Sequence, residues 1–156
     1  MTINRPESRN PLGEPGDGER FTAAADHINA DRDVRCVILT GAGSAFSAGG
    51  NLKAMRERGG GFQGPGVHVR DHYRQGIHRM VRALWTLEVP LIAAVNGPAI
   101  GLGNDVACLA DTRIAAENAI LPAPVVNASC TRASLDAACV ATSSSPQPIK
   151  NNACEV

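Results

Sequence analysis

"GSAFSAGGNLKAM", Gly43 to Met55, follows the apolar run Val34–Leu39 and leads into a helical stretch. Small residues and glycines crowd the point where a strand ends and a helix begins. A turn of that composition lets backbone approach a ligand closely. Three chemistries use such a turn: a cradle for a nucleotide, an exposed nucleophile, and a backbone hole for a developing negative charge.

The flanking sequence repeats the unit. "DVRCVILTG" reads as a buried, β-branched strand ended by Gly41. Asn51 stands where a helix N-cap belongs, and "LKAMRER" stops at Gly59. "VPLIAAVNG" is a second buried strand with Pro90 near its start. The glycine-bearing "PAIGLG" follows it, then the helical "NDVACLAD". Between the two units, Gly59 to Gly66 reads as a flexible loop and Asp71 to Leu87 as one helix. In that helix Ile77, Met80, Val81, Leu84 and Leu87 share a stripe that Arg74, Arg79 and Arg82 avoid. A helix over Glu19 to Ala30 and a short strand over Thr112 to Ala115 are also expected. Met1 to Gly18 reads as a loop or frayed terminus with at most a strand at Thr2-Ile3. This alternation predicts an α/β architecture.

From Ile120 onward no helical or strand period is evident, apart from a short helix sketched near Ala133 to Val140. The expected organisation is a core over residues 1–119 and a divergent, poorly ordered tail over 120–156.

The three chemistries separate on detail. A dinucleotide fingerprint needs glycine at its first, third and sixth positions. Gly41 and Gly43 fit, but Phe46 occupies the sixth, and no strand ending in an acidic residue follows. A nicotinamide-dependent reductase is therefore the distant alternative. A nucleophile elbow would centre on Ser47, yet no histidine lies beyond His78 to complete a triad, so Ser47 reads as a small turn residue. The backbone hole uses both turns. Two helix N-termini, each with free N–H groups, would converge on one carbonyl oxygen. "SAGGN" and "IGLGN" sit at matching points of the two units.

Bulk properties narrow the partners. The 156 residues suffice for one modest domain, and 15 basic against 15 acidic residues leave no polyanion-binding surface. With aromatics at 3%, base stacking is disfavoured, so no nucleic-acid partner is expected. No apolar run reaches the ~20 residues of a membrane span. The first residues lack an apolar h-region, so a cytoplasmic protein without a membrane partner is expected. The five cysteines form no CxxC pair, and Cys36 and Cys108 read as buried small hydrophobes rather than disulfide or zinc ligands. His68 and His72 have ligand spacing on a helix but no third partner, and read as solvated polar residues.

"CVILTGAGSAFSAGGNLKAM" and "VPLIAAVNGPAIGLGNDVACLADTRIAAENA" resemble the two signature blocks of the crotonase, or enoyl-CoA hydratase/isomerase, family, and "NRPESRN" resembles its opening segment. The resemblance covers roughly Met1 to Ala119. It implies a spiral of ββα units in truncated form, assembled as trimers or dimers of trimers. It implies an acyl-CoA thioester substrate, with CoA part of the substrate and no separate cofactor or metal. By position, the N–H groups of Gly50 and Leu102 would stabilise the thioester enolate in a lyase or isomerase of fatty acid metabolism. Leu102 stands where the family usually has Ala or Gly, and Asp105 replaces the first catalytic glutamate. Ala48 would contact CoA near the adenine, and Lys53 a CoA phosphate. Counting on without gaps puts Val125 where the second glutamate belongs, which leaves the chain as written weakly active or inactive, or an acyl-CoA-binding or assembly-only fragment. The loss of resemblance after Ala119 reads as a reading-frame change or premature end. The missing half in another frame of the gene would support that, and an in-frame stop with no such remnant would count against it.

Overall fold

The computed structural model of the chain describes residues 1–122 and 139–141. Among the described residues, five parallel strands form one sheet in sequence order: β1 (Thr2–Ile3), β2 (Val37–Gly41), β3 (Leu91–Val95), β4 (Thr112–Ala115) and β5 (Cys139–Ala141). Helix α1 (Asp17–Ala30) connects β1 to β2. Helices α2 (Leu52–Glu57), α3 (Gly66–Gln75) and α4 (Ile77–Trp85) connect β2 to β3, and α5 (Leu102–Leu109) connects β3 to β4. Parallel pairing requires such crossovers, and the helices they supply cover the sheet.

Register decides which face is covered. Leu39 pairs with Ala93, and Ala93 with Arg113, so these residues share a face with Val37, Leu91 and Val95. That face packs under α1, α4 and α5 through Phe21, Ala25, Ile28, Met80, Leu84 and Val106, all buried. Burying a side chain the size of Met80 or Phe46 contributes about 1.5–3 kcal/mol each. The opposite face carries Ile38, Thr40, Ile92, Ala94 and Ile114, which stay half-buried or exposed. At the sheet's far side, buried Arg113 donates from Nη1 to the carbonyls of Cys108 (3.2 Å) and Ala110 (3.1 Å), satisfying groups that the C-terminus of α5 leaves free.

Several expectations need correction. The Asp71–Leu87 helix begins earlier, at Gly66, and breaks at Gly76 into α3 and α4. The break lies where α1 crosses: a Cβ on Gly18 would lie 2.2 Å from the Gln75 carbonyl oxygen and 3.1 Å from that of Gly76. Residues 1–18 are no frayed terminus, because Asn10, Leu12 and Asp17 are buried. Helix α2 ends at Glu57, with Arg58 rather than Gly59 in the left-handed conformation (φ 50°). Cys36 is exposed and Cys108 half-buried, because β2 starts only at Val37 and leaves Cys36 on the approach to it. The stretch after Ile120 contains a strand, β5, where Cys139 and Val140 were assigned to a helix; the rest of that helix lies outside the described residues.

Candidate active site

The first turn, residues 41–51, is held from both sides. On one side lies the segment after β1. Asn10 is fully buried, with φ 57°, and its Nδ2 donates to the carbonyls of Ala42 and Ala45, both at 2.8 Å. Its Oδ1 accepts from the Arg5 amide at 2.8 Å. The Ser47 hydroxyl donates to the Asn10 carbonyl (2.7 Å) and accepts from the Gly49 amide (3.1 Å). Ala48 N donates to Arg9 O (2.8 Å), and Leu12 N to Gly49 O (2.9 Å). Ser47 thus supports the turn, as the sequence reading has it.

On the other side lies the second turn. The amides of Phe46 and Ser47 both donate to the Pro98 carbonyl at 3.1 Å, and Ile100 N returns a bond to Ser47 O at 2.9 Å. The two strand–turn–helix units therefore meet at their turns. The approach is close: Gly49 has φ 77°, and a Cβ there would lie 2.3 Å from the Ile100 oxygen and 3.1 Å from the Leu102 nitrogen. Only glycine fits that conformation and that gap.

Gly50 and Leu102 flank this junction, both half-buried. Among the described residues, neither amide donates to a backbone or side-chain acceptor. The Leu102 side chain leans toward the segment after β1, with its Cδ2 3.8 Å from where a Gly13 Cβ would be. Asp105 is exposed in the first turn of α5, its amide bonded to the Gly101 carbonyl (3.0 Å). Ala48 is half-buried. Lys53 is exposed on α2, whose N-cap is Asn51 as expected: its Oδ1 accepts from Ala54 N at 3.0 Å.

The sequence reading missed the supports. Arg5 grips buried Asp17 with both guanidinium nitrogens (Nη1 to Oδ2 at 3.1 Å), and Asp17 also accepts from Glu14 N at 3.0 Å. The hydrogen bonds to Asp17 are the largest influence on the Arg5 guanidinium; burial opposes them, the nearby carboxylate charges reinforce them, and the net effect raises its pKa. Asn51 Nδ2 donates to Glu14 Oε1 (3.0 Å), joining the segment after β1 to α2. Asn10, able to adopt the left-handed region and followed by Pro11, carried the one signal that pointed to a structural turn.

A family model described as enoyl-CoA hydratase/isomerase matches residues 1–136. The chain belongs to the enoyl-CoA hydratase/isomerase family. It is 38% identical over 121 residues to a putative enoyl-CoA hydratase of Thermus thermophilus, covering 76% of this chain and 45% of that protein. It is 37% identical over 129 residues to the short-chain-enoyl-CoA hydratase of Clostridium acetobutylicum, covering 81% and 46%. Among solved structures, an enoyl-CoA hydratase from Bacillus anthracis superimposes with a TM-score of 0.64 at 34% identity, over 76% of this chain and 43% of that one. An enoyl-CoA hydratase/carnithine racemase from Magnetospirillum magneticum gives 0.65 at 28%, over 76% and 42%. The α/β fold with its parallel sheet is the crotonase-like fold of these enoyl-CoA hydratases. The chain spans less than half the length of the curated relatives it matches. The family match runs past Ala119 into the tail, to residue 136.

Proposed function

We propose that the chain binds an acyl-CoA thioester where its two turns meet, with the N–H groups of Gly50 and Leu102 donating to the thioester carbonyl oxygen. The observation that carries this is the Ile100 N to Ser47 O bond (2.9 Å), which ties one turn to the other beside two amides that have no acceptor among the described residues. Preorganised donors aimed at a developing oxyanion cost no reorganisation during reaction, and each contributes about 10²–10³ in rate. When a proton leaves the α-carbon, its electron pair moves into the C–C bond and the carbonyl becomes an enolate. Asp105 is the carboxylate that takes that proton: returning it to the α-carbon gives exchange, delivering it to the γ-carbon shifts the double bond, and expulsion of hydroxide from the β-carbon of the enolate is dehydration, the reverse of hydration. Hydration and double-bond isomerisation both run through such an intermediate. Lys53 meets a CoA phosphate. The Ala48 N–H is committed to Arg9, so its contact with CoA runs through the carbonyl or the methyl group. The substrate supplies CoA, no further cofactor is used, and assembly is as trimers or dimers of trimers.

Val125, at the place of the second carboxylate, favours weak or absent turnover by the chain as written, and with it a second reading: a non-catalytic acyl-CoA-binding fragment. Hydration of crotonyl-CoA by the isolated chain at an ordinary hydratase's rate would exclude the second reading. The site itself is tested by thermal unfolding with and without butyryl-CoA. A ligand that prefers the folded state raises the midpoint; an unchanged midpoint at millimolar butyryl-CoA refutes the site.

A further inference from the structure

Adding water across an enoyl thioester moves protons at two carbons. The attacking water loses one as its oxygen bonds to the β-carbon, and the α-carbon gains one as the enolate collapses. Asp105, on the helix that begins at Leu102, serves the α-carbon. The β-carbon needs a second group, and Val125 cannot carry a proton.

On the Gly50 side of the junction stands Glu14. Among the described residues it is the carboxylate lining a cavity of about 80 Å³ that Gly50 borders. Its neighbour Gly13 lies against the other turn, with the Leu102 Cδ2 3.8 Å from where a Gly13 Cβ would be. The segment that carries Glu14 therefore passes beside both Gly50 and Leu102. The carboxylate is anchored at two points. Its own amide donates to buried Asp17 (3.0 Å), which Arg5 grips, and its Oε1 accepts from Asn51 Nδ2 (3.0 Å), the residue directly after Gly50. Oε2 has no donor among the described residues, and the side chain is only half-buried. A carboxylate held through one oxygen keeps the other for water, and such anchoring is what a catalytic group needs.

Resting on the acyl-CoA reading above, we infer that Glu14 is the catalytic residue for water at the β-carbon, in place of the carboxylate that position 125 lacks. In hydration the Glu14 carboxylate takes a proton from water as the water oxygen bonds to the β-carbon. The C=C electron pair moves into the bond between the α-carbon and the carbonyl, and the C=O pair moves onto oxygen, at the Gly50 and Leu102 N–H groups. A proton on Asp105 then passes to the α-carbon as the enolate collapses. Glu14 ends protonated and Asp105 ionised, and exchange with bulk water restores both. In the reverse direction Glu14 returns its proton to the departing hydroxide. Exchange of the α-proton alone uses Asp105 and not Glu14.

The test compares two reactions of the full chain: hydration of crotonyl-CoA, and α-proton exchange of butyryl-CoA in D2O. Glu14→Gln keeps an acceptor for Asn51 and removes the base. It should lower kcat for hydration about a hundredfold with KM little changed, while exchange slows by no more than about threefold. Glu14→Asp, which keeps the carboxylate, should retain part of the hydration. Equal loss of both reactions in Glu14→Gln, hydration indifferent to that change, or an unaltered chain that does not hydrate crotonyl-CoA overturns the inference and leaves the acyl-CoA reading standing. An unfolding midpoint of the unaltered chain that butyryl-CoA does not move overturns both.

Discussion

Replacing Asn10 by alanine removes three hydrogen bonds at once, one buried and two partly buried. Two carbonyls, of Ala42 and Ala45, lose their 2.8 Å donor, and the Arg5 amide loses its 2.8 Å acceptor. Leaving a buried backbone group unsatisfied costs about 1–3 kcal/mol. Relaxation around Ala42, which is only half-buried, argues for the lower part of that range, so the three together cost about 3 kcal/mol. The φ of 57° adds about 1 kcal/mol, since alanine tolerates the left-handed region less well than asparagine. The expected loss for Asn10→Ala is about 4 kcal/mol, a large share of the roughly 5–15 kcal/mol that holds an ordinary domain together. Asn10→Gly removes the same bonds without the backbone strain, and should be the milder change by about 1 kcal/mol. Urea unfolding followed by circular dichroism reads both. A loss below about 1 kcal/mol for Asn10→Ala, or a glycine variant less stable than the alanine one, would refute the claim that Asn10 braces the first turn.

Gly49→Ala should disrupt the junction by at least about 3 kcal/mol and abolish the butyryl-CoA shift, because its Cβ would fall 2.3 Å from the Ile100 oxygen at a φ of 77°; an unchanged midpoint and shift would show that the turns are not packed this way. Asp105→Asn, at an exposed position, should leave stability within about 0.5 kcal/mol but slow α-proton exchange of butyryl-CoA in D2O by about a hundredfold, followed by NMR. Exchange that continues unaffected would remove Asp105 from the chemistry. Asp17→Ala should cost about 3 kcal/mol by leaving Arg5 unpaired. The raised Arg5 pKa means that its contribution is complete below the ordinary arginine pKa and is lost only as pH climbs through the raised value. Urea midpoints should therefore show the same Asp17→Ala penalty at neutral and mildly alkaline pH.

What was legible in the sequence was local. The strands Thr2–Ile3 and Thr112–Ala115 and the Asn51 cap follow from alternation and short-range hydrogen bonding, and the structure has them where the residues suggest. The apolar stripe of α4 is equally plain: Met80 and Leu84 are buried and Arg82 is not. What escaped depends on contacts between distant segments. The glycine at 76 permits a helix break, but the contact beside it, the close passage of Gly18 against Gln75, lies 57 residues back along the chain. Residues 1–18, rich in Pro, Gly and charge, look like a loose terminus until Arg5 meets Asp17 and Asn10 reaches Ala42 and Ala45. At the candidate site, two matching glycine turns were readable, but not the bonds that bring them together.

The central claim is that Gly50 and Leu102 hold a thioester carbonyl oxygen, and isotope-edited infrared difference spectroscopy of bound butyryl-CoA, labelled with 13C at that carbonyl, tests it most directly. Two converging N–H donors polarise the C=O bond, so the account expects the stretch of the bound ligand to fall well below its frequency in free solution. A bound ligand whose carbonyl stretch matches the free thioester would contradict the account, whatever the affinity.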